Sequence, residues 1–168
     1  LKYGAGSYRL WTASVYVYNE FKKNGWILGT GLRSSLYNNT DRSVFTLEPR
    51  INLTKFLGRA DKLMLAYDRT SQPTHSIYET NYNMQSDFWV PFKEKNVPTA
   101  DQLSLGWKNF ALTNWELSIE AYYRKMKNLI RINNLENYLD AGIDYSKGTG
   151  DAYGMEFMVQ YNKNRFSG

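Results

Sequence analysis

Six charged residues lie at alternate positions in segments whose intervening residues are apolar, and they are the first candidates for chemistry. They are Glu48, Arg50, Asp68, Glu120, Arg124 and Glu156. Carboxylates and guanidinium groups on one surface suit either a connected ion network or a set of separately solvated side chains. Pairs of carboxylates could also serve as general acid and base, but the spacing singles out no pair. We therefore expect these six side chains to line a polar interior of the fold, and we expect no enzyme activity.

A second candidate is the segment 73–101, which is rich in Tyr, Asn, Thr and Pro. Its aromatic rings could stack on a ring-containing ligand, and a carboxylate could accept hydrogen bonds from it. The candidates for substrate contact are Tyr78, Tyr82, Asp87, Phe88 and Trp89. The alternative for Phe88 and Trp89 is that they pack the base of the loop onto the rest of the fold.

Metal and thiol chemistry have little support in the sequence. The chain has no cysteine, and His75 is its single histidine, so a histidine site would need ligands from elsewhere. Asp140 and Asp144 flank Gly142 without the full ligand spacing of a calcium loop. We expect neither a metal site nor a cofactor.

The composition combines many aromatic residues with a hydrophilic average. Aromatic residues make up 16% of the 168 residues, charged residues 22%, and the mean hydropathy is −0.59. No apolar run approaches the roughly 20 residues of a membrane-spanning helix. The net charge of +5 comes from dispersed lysines and arginines rather than from a basic run, so we expect no nucleic-acid partner.

The segments that would position the candidates have a period of two. In residues 102–112, apolar residues such as Leu105 alternate with polar ones, and the alternation resumes after a turn at Thr113 and Asn114. This pattern is typical of β-strands with one apolar face. It predicts an all-β fold, an antiparallel up-and-down meander of about seven long strands. The strands are expected near 8–21, 26–37, 44–57, 62–71, 102–112, 115–128 and 151–162.

The connections between these strands alternate in length. Short ones are expected at 22–25, where Asn24-Gly25 is a strong hairpin signal, at 58–61 and at 113–114. A modest loop at 38–43 and two long ones at 73–101 and 129–150 would then lie at the other end of the sheet. Pro49 cannot donate to a strand ladder, which predicts a bulge there or a strand that begins near Arg50.

The apolar face has the layered composition that a bilayer imposes. Its charged residues Arg9, Lys55, Arg69 and Lys125 are confined to strand ends, and aromatic residues gather near both ends. A cation at the middle of a lipid-facing strand costs about 2–4 kcal/mol, and much less near the interface. This favours a segment of a transmembrane β-barrel. A small complete barrel acting as adhesin or enzyme, and a soluble carbohydrate-binding β-domain, are the alternatives.

Four pieces of the chain occur in a particular order. They are DFWVP (87–91), PTADQLSLGW (98–107), LSIEAYYRKMKNLI (117–130) and GDAYGMEF (150–157). In this order they resemble the barrel of TonB-dependent outer-membrane receptors. The resemblance covers residues 44–168, and the first two strands fit by their pattern alone.

The resemblance implies a place in a larger molecule. In that family a barrel of about 22 strands surrounds an N-terminal plug, and energy from the inner-membrane TonB complex drives import of a scarce nutrient. The implied location is the bacterial outer membrane, and the implied nutrient is an iron chelate, cobalamin or a glycan. The implied partners are membrane lipid, the plug, the remaining barrel strands and the TonB complex, with a surface lipoprotein as a further candidate.

Overall fold

The chain forms β-strands linked by turns and loops throughout the part that can be described. The computed structural model describes residues 9–39, 42–79, 86–91, 97–112, 114–132, 145–163 and 166–167. The strands are β1 (Leu10–Lys23), β2 (Trp26–Asn39), β3 (Ser43–Leu57), β4 (Asp61–Ser71), β5 (Thr74–Glu79), β6 (Ser86–Pro91), β7 (Thr99–Asn109), β8 (Trp115–Ile132), β9 (Tyr145–Lys163) and β10 (Phe166–Ser167). No helix long and apolar enough to span a membrane occurs in the described part of the chain.

Eight of the strands form one antiparallel sheet in the order β1-β2-β3-β4-β7-β8-β9-β10. Each long strand therefore pairs with its neighbour along the chain, except that the hairpin of β5 and β6 lies between β4 and β7 as a separate two-stranded sheet. Seven strands are long and β10 has two residues. The predicted fold class, an antiparallel meander of about seven long strands, is confirmed.

One register aligns the apolar residues of all seven long strands on the same face. Phe21 stands opposite Leu28, and the row continues through the facing residues of each following strand. The full row is Phe21, Leu28, Leu53, Leu65, Leu105, Ala121 and Met155. Since side chains alternate between the faces of a strand, this row places every second residue of each strand on one surface, which we call the apolar face.

The apolar face has no covering layer among the described residues. Phe21, Leu105 and Met155 are 62%, 57% and 60% exposed. The described hydrophobic residues that are buried are Tyr37 and Val97, and Tyr37 points to the opposite face. The hydrophobic side chains that the register gathers are therefore left open to the surroundings.

Three turns, after β1, after β3 and before β8, lie at the same end of the sheet. Asn24 and Gly25 have φ angles of 49° and 75°, so both central residues of the β1–β2 turn are left-handed, as the tight two-residue hairpin requires. Gly58, with φ 72°, follows β3, and Asn114, with φ 70°, precedes β8. The β7–β8 connection is longer than the sequence suggests, because β7 ends at Asn109 and the Phe110 amide donates to the Ala60 carbonyl.

The connection between β2 and β3 differs from the modest loop expected at 38–43. β2 continues to Asn39, and Asn39 and Arg42 exchange backbone hydrogen bonds of 2.9 and 3.4 Å. The Arg42 amide also donates to the Asn39 side chain at 3.0 Å. An asparagine side chain can close such a turn locally, so the chain reverses in fewer residues than the polar composition indicates.

Pro49 lies inside β3 without the predicted bulge. The pairing of β3 with β2 runs without a register shift from Ser43 to Lys55, with Leu32 opposite Pro49. The pairing with β4 covers Arg50 to Leu57. The expected boundary at Arg50 is thus real for one ladder only: residues 43–49 pair with β2 alone, and such an edge tolerates a residue that lacks an N–H.

A bulge in β8 explains why the predicted loop 129–150 is shorter in the structure. The β8–β9 register changes between Met126 and Leu129, where one extra residue in β8 is accommodated and Asn128 has φ 57°. The extra residue reverses the alternation, so the period-two pattern ends there although the strand continues to Ile132. β9 begins correspondingly early, at Tyr145.

The predicted long loop 73–101 contains the β5–β6 hairpin, and its last residues belong to β7. Thr99 to Asp101 pair with Ser71 to Arg69 on one side and with Lys127 to Lys125 on the other. Thr99 and Asp101 are polar and Ala100 between them is small, so these residues show no clear alternation in a hydropathy pattern. The ladder hydrogen bonds on both sides are sufficient to keep them in the strand.

The left-handed turn residue Gly25 gives a direct test of this fold. Replacing it by alanine forces a Cβ into φ 75°, at a cost of about 1–2 kcal/mol, so Gly25→Ala should lower the urea midpoint of unfolding in detergent micelles. Gly148→Ala is the matched control, because an added Cβ at Gly148 meets nothing within 4 Å. Equal midpoints for the two variants would contradict the turn geometry.

Candidate functional site

The surface opposite the apolar face, which we call the polar face, carries all six charged residues predicted to line an interior. They are Glu48, Arg50, Asp68, Glu120, Arg124 and Glu156. Arg50 stands opposite Asp68, and Glu120 opposite Glu156. Asp68 and Arg124 both stand opposite Gln102, so a cross-strand row of Arg50, Asp68, Gln102 and Arg124 runs over four strands.

Contacts within this set are sparse. Arg124 Nε donates to Gln102 Oε1 at 2.8 Å. In the part of the chain that the structure describes, no hydrogen bond or ion pair joins any two of the six charged residues. Glu120 and Glu156 face each other as like charges, an arrangement that is unfavourable unless a third group lies between them. A connected network among the six stays a prediction.

Glu48 is the least exposed of the six charged residues. It is 3% exposed, and Tyr37 on β2 donates its hydroxyl proton to Glu48 Oε1 at 3.4 Å. On the same strand and face, Thr46 Oγ1 and Arg50 Nε are buried without a hydrogen-bond partner among the described residues. Buried polar groups are normally paired, so this stretch of β3 is the part of the polar face with the greatest unused hydrogen-bonding capacity.

Residues that were not among the predicted site residues extend the polar face across β1 and β2. Ser14 and Ser35 share a hydrogen bond of 2.9 Å, and Arg33 Nη2 donates to Ser14 Oγ at 3.4 Å. Ser35 is completely buried. Arg33, Ser35 and Tyr37 lie two residues apart, so the same alternation that selected the charged residues of β3 could have found them.

Tyrosine rings lie flat against the wall on this face because glycines stand beside them. A Cβ added to Gly31 would lie 2.9 Å from the Tyr16 hydroxyl, and one added to Gly154 would lie 2.9 Å from the Tyr122 ring. Tyr16 and Tyr18 are also stacked, with ring centroids 6.5 Å apart and planes 16° apart. The glycines therefore give room for aromatic rings to line the polar face.

The five candidates for substrate contact fall on the β5–β6 excursion. Tyr78 of β5 stands opposite Asp87 of β6, and the backbone register places Phe88 and Trp89 next along β6. Tyr82 lies outside the described residues. The structure brings the backbones of the other four into one hairpin, and their role in binding stays a prediction.

On the apolar face, the end with the long connections carries a polar cluster just beyond a row of aromatic residues. Arg69 donates to both oxygens of Asp101, at 2.7 and 3.1 Å, and Tyr67 donates to the same carboxylate at 2.8 Å. Tyr67 belongs to the cross-strand row Tyr67, Leu103, Tyr123 and Tyr153. In this row Tyr67 and Tyr123 donate their hydroxyl protons to carboxylates, those of Asp101 and Asp151.

The end with the short turns has its own aromatic residues on the apolar face. The Trp115 and Tyr161 rings are 4.8 Å apart, and the Lys55 ammonium lies 4.6 Å above the Trp26 ring. Trp107 Nε1 donates to Asp61 at 3.1 Å. Each of these side chains combines an apolar body with a polar group of its own, which suits a boundary between hydrocarbon and water.

Comparison with known proteins gives a structural match. No family model matches the chain, and no curated protein sequence matches it. The fold is similar to the crystal structure of the siderophore receptor PirA from Pseudomonas aeruginosa, with a TM-score of 0.65 and 16% sequence identity over 93% of this chain. The chain has the fold of a segment of an antiparallel β-barrel. The segment spans 32% of that receptor's chain.

The Arg69–Asp101 pair can be tested against a neighbouring acid of the segment. Asp101→Asn removes a bidentate charge-assisted contact, and we expect it to reduce the free energy of unfolding by about 1 kcal/mol, at the low end because the pair is partly exposed. Asp68→Asn, which removes a carboxylate with no ion pair among the described residues, should change it little. Urea titration of both variants in micelles measures this, and a larger loss in Asp68→Asn would contradict the geometry.

Proposed function

We propose that the chain is part of the wall of a TonB-dependent receptor in a bacterial outer membrane, one that binds a scarce nutrient and imports it. The observation that carries the proposal is the apolar row that crosses seven strands and remains exposed. A lipid bilayer supplies the missing partner of such a face. The likeness to a siderophore receptor supports the same fold and makes an iron chelate the first nutrient to test.

A soluble β-domain accounts less well for the same face. Its apolar side would need a second layer of the protein, since large exposed apolar patches are rare in monomeric soluble proteins. Among the described residues the buried hydrophobic pair, Tyr37 and Val97, involves the polar face instead. Arg69 and Lys55, which lie on the apolar face, are near the ends of β4 and β3, where a charge costs less than in the middle of a lipid-facing strand.

The polar face would line the interior of the complete barrel. Its buried carboxylate Glu48, its arginines and its tyrosines offer hydrogen bonds and stacking surfaces to an interior domain or to a passing nutrient. In the proposed receptor the plug, the remaining strands and the TonB complex are the partners of this segment, and a surface lipoprotein is a further candidate. We propose binding and transport, with no catalytic step carried out by this chain.

Two substitutions on adjacent residues of β7 test the lipid contact. Leu105→Lys places a cation in the middle of the apolar row at a cost of about 2–4 kcal/mol, whereas Ser104→Lys places it on the polar face. In the full-length protein, Leu105→Lys should therefore reduce the amount assembled in urea-washed outer membranes, and Ser104→Lys should not. Equal assembly of both, or a Leu105→Lys protein that folds in buffer without detergent, would contradict the proposal.

Uptake by cells tests the transport itself. Cells that rely on the full-length receptor should accumulate one of three radiolabelled probes: a ferric tricatecholate, cobalamin or an oligosaccharide. Accumulation should fall to the background level when the proton gradient is dissipated, because import in this class depends on energy from the inner membrane. Accumulation that persists without the gradient would indicate a passive pore instead.

A further inference from the structure

The two residues that precede β7 are held to the wall at three points. The Pro98 carbonyl accepts the Gln72 amide at 3.0 Å, just beyond the end of β4. The Val97 carbonyl accepts the Asn128 side-chain amide at 3.2 Å. The Val97 side chain is 3% exposed and packs with Tyr37. We call these five residues the Val97 clasp.

The third contact of the clasp crosses the polar face. In the sheet order, Tyr37 on β2 is separated from β7 by β3 and β4. Tyr37, Leu10 and Val44 share the polar face, and Leu10 and Val44 pack against the cluster that Tyr37 forms with Val97. Neighbouring strands in a sheet are about 4.8 Å apart, so Val97, which precedes β7, lies well away from the line of that strand.

Strand pairing ends next to Pro49, and this leaves room for Val97 between β3 and β4. The ladder between β3 and β4 stops at Arg50, so residues 43–49 of β3 have β2 as their only paired neighbour. The wall between β3 and β4 is therefore not closed by strand pairing at the end where Val97 lies. The apolar Val97 side chain covers Tyr37, whose hydroxyl in turn donates to the buried carboxylate of Glu48.

The bulge in β8 supplies the other side-chain contact. Asn128 takes the left-handed φ of 57° at the register shift, and its side chain reaches the Val97 carbonyl. Asparagine tolerates this φ better than most residues and also has an amide donor. Glycine would satisfy the backbone alone, so the amide group is the separable part of this contact.

We propose that Tyr37 and Asn128 are positioning residues of the receptor, which fix where the β5–β6 excursion rejoins the wall. This proposal rests on the proposed function, since that excursion carries the candidate residues for nutrient contact. Neither residue is in the hairpin itself. Tyr37 acts through its ring on the Val97 side chain, and Asn128 acts through its amide on the Val97 carbonyl.

The state of the clasp can be read from one introduced thiol, because these 168 residues have no cysteine and any cysteine elsewhere in the receptor can be replaced by serine. In the full-length receptor, Val97→Cys keeps a small apolar side chain, and its reaction rate with a water-soluble maleimide reports its exposure. Asn128→Gly should raise this rate roughly two- to tenfold, the effect of one lost hydrogen bond. Asn114→Gly, another left-handed asparagine, should leave the rate unchanged.

Substitution of Tyr37 separates its ring from its hydroxyl. Tyr37→Phe keeps the ring against residue 97 and should label at the original rate, whereas Tyr37→Ala should label more than about tenfold faster. A Val97→Cys thiol that reacts as fast as one at exposed Ser43 in the otherwise unchanged receptor would overturn the proposal. Equal rates for the Asn128→Gly and Asn114→Gly proteins would overturn the part assigned to Asn128.

A crosslink connects the clasp to transport. The receptor with Tyr37→Cys and Val97→Cys, joined by a short reducible crosslinker, should still import whichever of the three probes it takes up. The reason is that the crosslink holds the position that the contacts favour.

Tyr37→Ala should raise the probe concentration for half-maximal binding, with the amount of assembled receptor unchanged. Unchanged binding by Tyr37→Ala would overturn the positioning role. If the unmodified receptor imports none of the probes, the proposed function fails, while the labelling rates still decide whether the clasp exists.

Discussion

A single antiparallel register, carried without interruption across the middle of seven long strands, is the constraint on which the rest of this structure depends. Because side chains alternate along a strand, a shift of one residue in any strand would move its leucines and aromatic residues to the polar face. The observed pairing instead gathers them into rows from Phe21 on β1 to Met155 on β9. The apolar face and the polar face are both consequences of that one register.

The positions of charges follow from the environment that such a face requires. On the apolar face, Arg69 is bound to Asp101 near one end of the strands, and Lys55 lies over Trp26 near the other. A cation in the middle of a lipid-facing strand costs about 2–4 kcal/mol, but close to an interface the cost falls to about 0–1 kcal/mol. On the polar face charged residues are found along the length of the strands, with Arg50, Asp68 and Arg124 in one row near its centre.

The functional interest of the wall lies where strand pairing is incomplete. Pro49 marks the end of the ladder between β3 and β4, and Asn128 marks the register shift between β8 and β9. Residues at the two irregularities meet the same short segment, since Val97 packs against Tyr37 beside the first and accepts a hydrogen bond from the second. Regular strand pairing forms the sheet. Residues at the two irregularities hold Val97, which precedes β7, against the polar face.

The strand period, the apolar face and the turn at Asn24-Gly25 could be read from the sequence because each depends on neighbours within a strand or a turn. The identity of the residues on each face, including Glu48, Arg50 and Glu156, follows from the same local alternation. The course of β8 beyond Asn128 could not be read, because a bulge reverses the alternation and its position depends on the partner strand. Neither could Pro49 be placed correctly, because a proline is tolerated or not according to which of its two neighbouring strands pairs there.

The sequence by itself therefore determined which side chains share a face, whereas the tertiary structure alone decided which of them touch, as Val97 touches Tyr37 across two intervening strands. Such a contact depends on how the strands are ordered and where their ladders end, and no local pattern encodes either.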